Sequence, residues 1–250
     1  MIAVTLISQA VGFALLLALR PFIPAHAVPS DYLYGALGGL CGAIGIALLY
    51  HALSIGKMGV VSPITAVIGA SLPLGVGVVR GERLSIEQLI GVAIALVAIV
   101  LISFSNEGPG KREIATAGVR EAIASGVLLG GFYLCLASTH PSARLDNLIA
   151  ARTASIGFLL LAGFVTRTSL VPNRADWPLI VGAGLLDMTA NALYVLATFN
   201  GYLSIAAVLT SLYPASTVFL ARIVLKERLQ RIQKAGVVLA LAGVVLIAVR

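Results

Sequence analysis

The chain has 250 residues, 59% of them hydrophobic and only 11% charged, with a formal net charge of +7 and a mean hydropathy of +1.03. Soluble domains carry roughly 25% charged residues, so this composition excludes a soluble enzyme, whose surface it could not clothe, and a disordered chain. Two cysteines in apolar runs, Cys41 and Cys135, exclude a disulfide scaffold, and Lys and Arg punctuate the gaps between apolar runs instead of clustering as in a nucleic-acid reader.

A bilayer-spanning helix needs about 20 mostly apolar residues, because the hydrocarbon is roughly 30 Å thick and each residue rises about 1.5 Å. The apolar runs predict nine spans, at roughly 2–20, 32–54, 59–80, 85–104, 118–138, 146–166, 177–199, 203–225 and 232–249. Ala25-His26-Ala27 after the first run resembles a signal-peptidase site, but no Lys or Arg precedes the run and Arg20-Pro21 interrupts the approach, which argues for retention. The second run ends on Tyr50 and His51, and Gly56-Lys57 turns the chain into the third. Pro63 and Pro73 there, and Pro214 in the eighth, are expected to interrupt or kink their helices. The longest polar stretch, 105–113, reads as a linker; Asn200-Gly201 marks a second tight turn. The runs do not alternate in polarity, so they are helices and not barrel strands.

Sliding the chain against itself by about 145 residues aligns Glu82-Arg83-Leu84 with Glu227-Arg228-Leu229, Gln88 with Gln233, Gly56 with Gly201 and Asp31 with Asp176, without a gap. The expected organisation is a first repeat over 1–105, a linker over 106–117 and a second repeat over 118–250. The fifth span, 118–138, has no partner in the first copy, so the parent architecture is expected to be five plus five helices with the first absent here. An odd number of spans per copy seats the second copy upside down. Such inverted repeats of helical bundles belong to secondary transporters.

The segments 50–56, 61–65 and 81–84, matched by 197–201, 211–214 and 226–229, resemble the EamA repeat of the drug/metabolite transporter superfamily. The resemblance implies a ten-helix, multi-pass carrier of metabolites, amino acids or drugs in the cell membrane, with a cytoplasmic C-terminus. Positive-inside counting points the other way. About eleven Lys and Arg fall on the side of Lys57 and about six on the other, which would put the C-terminus outside.

Candidate substrate-binding residues are the polar groups placed within spans. Asp187 lies mid-span, where an ionised carboxylate costs several kcal/mol unless it meets protein or water. Asn191 and Tyr194 follow on the same helical face. Arg152 stands a turn and a half into its span, where it holds an anion, pairs with a carboxylate or snorkels to the interface. Gln9 lies mid-span in the first run, and Ser62 and Tyr213 flank two of the prolines. His51 reads as interfacial, and Glu82-Arg83 as helix-end charges or a gate. No paired-acid metal motif, His/Cys cluster, nucleophile elbow or Walker sequence occurs, so no cofactor is expected and ATP drive would need a partner. The expected function is a secondary transporter or exporter of a small polar or amphipathic metabolite by alternating access. Its partners would be the bilayer and the small molecule, with proton coupling through Asp187 and the oligomeric state open. The alternatives are a non-transporting subunit or scaffold that needs a partner, and an intramembrane lipid enzyme.

Overall fold

The computed structural model describes residues 2–56, 58–103, 118–143, 145–167, 176–212 and 230–248. Among them the chain is helical, with no strand. The helices are α1 (Ile2–Leu19), α2 (Pro29–Ile55), α3 (Met58–Val79), α4 (Ile86–Ser103), α5 (Val119–Ala137), α6 (Asp146–Val165), α7 (Trp177–Asn200), α8 (Leu203–Thr210) and α9 (Arg231–Ala248). Six of them (α1, α2, α3, α5, α6 and α7) are long and apolar enough to cross a membrane. The apolar part of α4 is shorter, Ile86–Leu101; α8 has eight residues and ends at Thr210, and α9 opens on Arg231 and Lys234. The chain is thus an all-α polytopic membrane protein. Tyr213 and Pro214 lie outside the described residues.

Helix ends follow local chemistry. Pro29 opens α2, where its missing N–H is harmless, and Asp31 in the first turn accepts the Val28 N–H at 3.0 Å. Gly81, at φ +93°, turns the chain out of α3, a conformation that suits glycine. The expected breaks at Pro63 and Pro73 do not occur: α3 runs through both. Each proline removes one donor, whereas abandoning the helix in hydrocarbon would orphan many backbone groups with no water to take them.

The chain folds as two compact units. Unit 1 comprises Met1–Ala43 and Gly131–Asn200, and unit 2 comprises Ile44–Gly130 and Gly201–Arg250. Each therefore draws on both halves of the sequence. In unit 1, α1 packs on α6 and α7, and backbones meet closely at glycines. A Cβ on Gly39 would strike the Ala151 carbonyl oxygen, one on Gly35 the Asn147 carbonyl oxygen, and one on Gly184 the Ser8 carbonyl oxygen. Between helices in lipid, where apolar contact with a neighbour gains little over contact with acyl chains, such close approach supplies the packing energy. In unit 2, α3 lies against α4 and α8, and α4 against α9. Its core includes Ala70, Val92, Ile99, Val208, Ala240 and Ile247.

Candidate functional site

The polar residues of unit 1 converge on α6. Its buried stripe runs Leu148, Ala151, Arg152, Ser155 and Leu159, a helical spacing of three and four that carries one charge and one hydroxyl among apolar groups. On α7 the buried stripe is Ile180, Met188, Asn191 and Val195, while Leu179, Leu186 and Leu193 form an exposed apolar face suited to hydrocarbon. Asp187 lies on the face of Asn191 and Tyr194. Its side chain is 48% exposed, against 10% for that of Arg152.

The Arg152 guanidinium donates from Nη2 to Asp187 Oδ2. Asn191 Nδ2 donates to the Asp187 backbone carbonyl at 2.8 Å and to Oδ1 at 3.2 Å. Both carboxylate oxygens are thereby occupied, one by a cation and one by a neutral amide a turn further along α7. Ser155 Oγ lies within hydrogen-bonding reach of two acceptors, Gln9 Oε1 and the Arg152 carbonyl at 3.2 Å. Gln9 and Ser155 are themselves buried. A guanidinium taken so far out of water needs a partner, because an unpaired buried charge costs several kcal/mol. The cluster is neutral overall, holds donors and acceptors together, and leaves its carboxylate open on one side.

Of the sequence-predicted site residues, Gln9, Arg152, Asp187 and Asn191 therefore come together in unit 1. Tyr194 is buried and turned elsewhere: its hydroxyl donates to the Tyr133 carbonyl at 3.2 Å, and the two rings pack with centroids 4.6 Å apart. Ser62 is half-buried on α3 in unit 2. His51 is exposed at the end of α2. Ser155 and Tyr133 were not singled out from the sequence. Ser155 could have been found by asking what else shares the Arg152 face three residues on; nothing local marks Tyr133.

A second polar group in unit 1 was also missed. Asp146, at the start of α6, pairs with Arg20, whose Nη2 donates to Oδ2 at 3.1 Å and whose Nε stands 2.5 Å from Oδ1, and the Tyr32 hydroxyl donates to Oδ2 at 3.4 Å. Asp31 takes the His140 backbone N–H and ring Nδ1, each at 2.9 Å. In unit 2, Glu82 accepts the Leu203 N–H at 2.7 Å and the Ser204 N–H at 3.1 Å, capping the start of α8 from the α3–α4 turn. The helix-end charge is therefore a bridging cap. Among the described residues no three His, Cys, Asp or Glu side chains are grouped to hold a metal ion.

The sequence profile of the EamA-like transporter family matches residues 118–249, just over half of the chain. The chain belongs to the EamA-like transporter family. Members of this EamA family are membrane transporters of the drug/metabolite type, and this chain is an integral membrane protein. It is 32% identical over 74 residues to the uncharacterized protein MJ1333.1 of Methanocaldococcus jannaschii, a match covering 29% of this chain and 53% of that protein. The matched stretch thus spans about half the length of that relative. A protein of known crystal structure shares the fold, with a TM-score of 0.74, 18% identity, and coverage of 99% of this chain and 85% of the other.

Proposed function

We propose that this EamA-family chain is a secondary transporter or exporter of a small polar or amphipathic metabolite, amino-acid-like or drug-like, working by alternating access in the cell membrane. Arg152, Asp187, Asn191 and Gln9 line the path, and Tyr194 with Tyr133 forms an aromatic wall beside it. Ser62 and Tyr213 belong to the reading through their places beside Pro63 and Pro214.

The observation that carries the proposal is the Arg152–Asp187 pair, two opposite charges in span-length apolar helices, one buried and one half open. Charges at such depth mark cargo or ion pathways by default, because a purely structural role is met more cheaply by apolar packing. An amphoteric cargo can replace each partner with one of its own charges, so the exchange leaves no buried charge bare. A proton taken up by Asp187 would release Arg152 in the same way, which is the route proposed for proton coupling.

The inverted repeat, with its copies over 1–105 and 118–250, is part of the proposal. Shifting α4 by about 145 residues lands on the bounds of α9, and the same shift carries the start of α3 to the start of α8 and the end of α2 to the end of α7. Within the units, α1 packs on α6, α3 on α8 and α4 on α9, each helix on the one that shift assigns to it.

The test is two-sided access. With Cys41 and Cys135 changed to Ala, Asn191→Cys is reconstituted in sealed vesicles and treated with a membrane-impermeant methanethiosulfonate from either side. Labelling from each side supports alternating access; a thiol reached from neither side, or from one alone, contradicts it.

A further inference from the structure

We propose that Asp31 and Asp146 are the fixed posts of a clasp that holds the end of α1 shut against α6, and that release of Arg20 from Asp146 opens this end of unit 1 to water. The inference rests on the transporter reading and gives it a gate.

Both carboxylates are out of water, Asp31 at 0% and Asp146 at 2% exposure. A buried carboxylate is tolerated only with charged or multiple hydrogen-bonding partners. Here the partners cross over. Asp31, on α2, is held by His140 from the α5–α6 connection. Asp146, on α6, is held by Arg20 from the end of α1 and by Tyr32 from α2. A backbone bond from the His26 N–H to the Ser142 carbonyl, 2.9 Å, joins the two connections directly. Each hairpin therefore satisfies the charge carried by the other.

The posts and the hooks differ in mobility. The posts sit on α2 and α6, whose backbones touch at Gly35 with Asn147 and at Gly39 with Ala151, next to the carboxylates themselves. The hooks are the more open groups, with the Arg20 side chain 39% exposed and the His140 side chain 63%, and both belong to helix connections. A released hook is hydrated at once, and opening brings water to the posts, so the released state leaves no dry charge behind. This separates the clasp from an ion pair locked in a core, whose rupture leaves a charge stranded.

The geometry also fixes what moves. Just past its midpoint, α1 is pinned to α7, where a Cβ on Gly12 would lie 3.0 Å from Met188 Cβ and 3.2 Å from the Gly184 carbonyl oxygen. Beyond that pin, Leu16 is buried at 2% exposure, and Arg20 follows one turn later. Release of Arg20 levers the last turns of α1 off α6 about the pin and wets Leu16. Along α6, Asp146 lies about 9 Å from Arg152 at 1.5 Å per residue, so water entering there approaches the polar cluster.

The experiment reads a thiol introduced at this end. Leu16→Cys, in a chain with Cys41 and Cys135 changed to Ala, is reconstituted in sealed vesicles and challenged with an impermeant methanethiosulfonate from each side. Arg20→Gln is expected to raise the labelling rate about tenfold from one side only, the shift expected for loss of one charge-assisted contact. Arg20→Lys, which keeps the charge without the fork, should fall between. His140→Ala removes one exposed hook while Asp31 keeps its backbone donors, and should raise the rate less; it serves if Arg20→Gln does not fold. Rates unchanged in both variants, or raised equally from both sides as in general loosening, overturn the clasp. No cargo is needed, so the result is independent of flux. A thiol at Asn191 reached from neither side would sink the transport reading and leave a one-sided rise at Leu16 standing.

Discussion

Asp187→Asn removes the charge that holds Arg152 and keeps the shape. The guanidinium, at 10% side-chain exposure, then loses its anion, whereas the Asn side chain still offers one carbonyl oxygen. Breaking a fully buried pair costs about 3–5 kcal/mol. Asp187 is half exposed, so screening reduces this, and we expect about 2 kcal/mol, or about 4–8 °C in thermal midpoint for a chain of this size. The decisive comparison is the double variant Arg152→Gln/Asp187→Asn. Removing both charges leaves none stranded, so the double variant should melt above the Asp187→Asn single, with a coupling of at least about 1 kcal/mol. Heating detergent-solubilised protein and following the surviving monodisperse fraction by size exclusion reads this order. Additive losses, or an Asp187→Asn midpoint equal to the parent's, would refute the pairing argument.

Two glycines on α7 should respond oppositely to a methyl group. Gly184→Ala drives its Cβ into the Ser8 carbonyl and should cost about 1–3 kcal/mol, while Gly182→Ala meets nothing within 4 Å and should be neutral or stabilising by about 0.5 kcal/mol, both read as melting shifts. Glu82→Ala strands the N–H groups of Leu203 and Ser204 and should cost about 1–2 kcal/mol, with Glu82→Gln losing less; equal melts for the two variants would contradict the cap. Tyr194→Phe removes the hydroxyl that reaches the Tyr133 carbonyl and should cost about 1 kcal/mol while leaving ring packing intact, so a drop as large as that of Tyr194→Ala would speak against the hydrogen bond.

The six helices long enough to cross were legible because hydrocarbon imposes a length and penalises charge, and both conditions are written along the chain in windows such as 2–19 and 122–137. The stripe of Asp187 and Asn191 was legible for the same kind of reason, a fixed helical period. That Arg152 meets Asp187 was not, since the two are 35 positions apart and only the fold, which packs both α6 and α7 against α1, brings them together. The available signal was chemical: two opposite charges inside apolar runs are each costly alone, which favours their meeting. Tyr194 shares the Asp187 face by period, yet its long side chain turns to Tyr133, a choice no spacing encodes. Asp31 and Asp146 lie at span ends, where a charge is ordinarily hydrated, so nothing local announced their burial. An interruption at the prolines of α3 did not follow, because a rule drawn from helices in water overstates what one missing donor does where the remaining bonds have no substitute.

The claim that cargo passes by the Arg152–Asp187 pair is tested most directly by flux. Cells lacking this chain are complemented with the parent, Asp187→Asn or Arg152→Gln at matched membrane levels, and small polar metabolites in cells and medium are compared by mass spectrometry. The account predicts at least one compound redistributed by the parent and by neither variant. Identical profiles for the parent and both variants, with all three folded in the membrane, would contradict it.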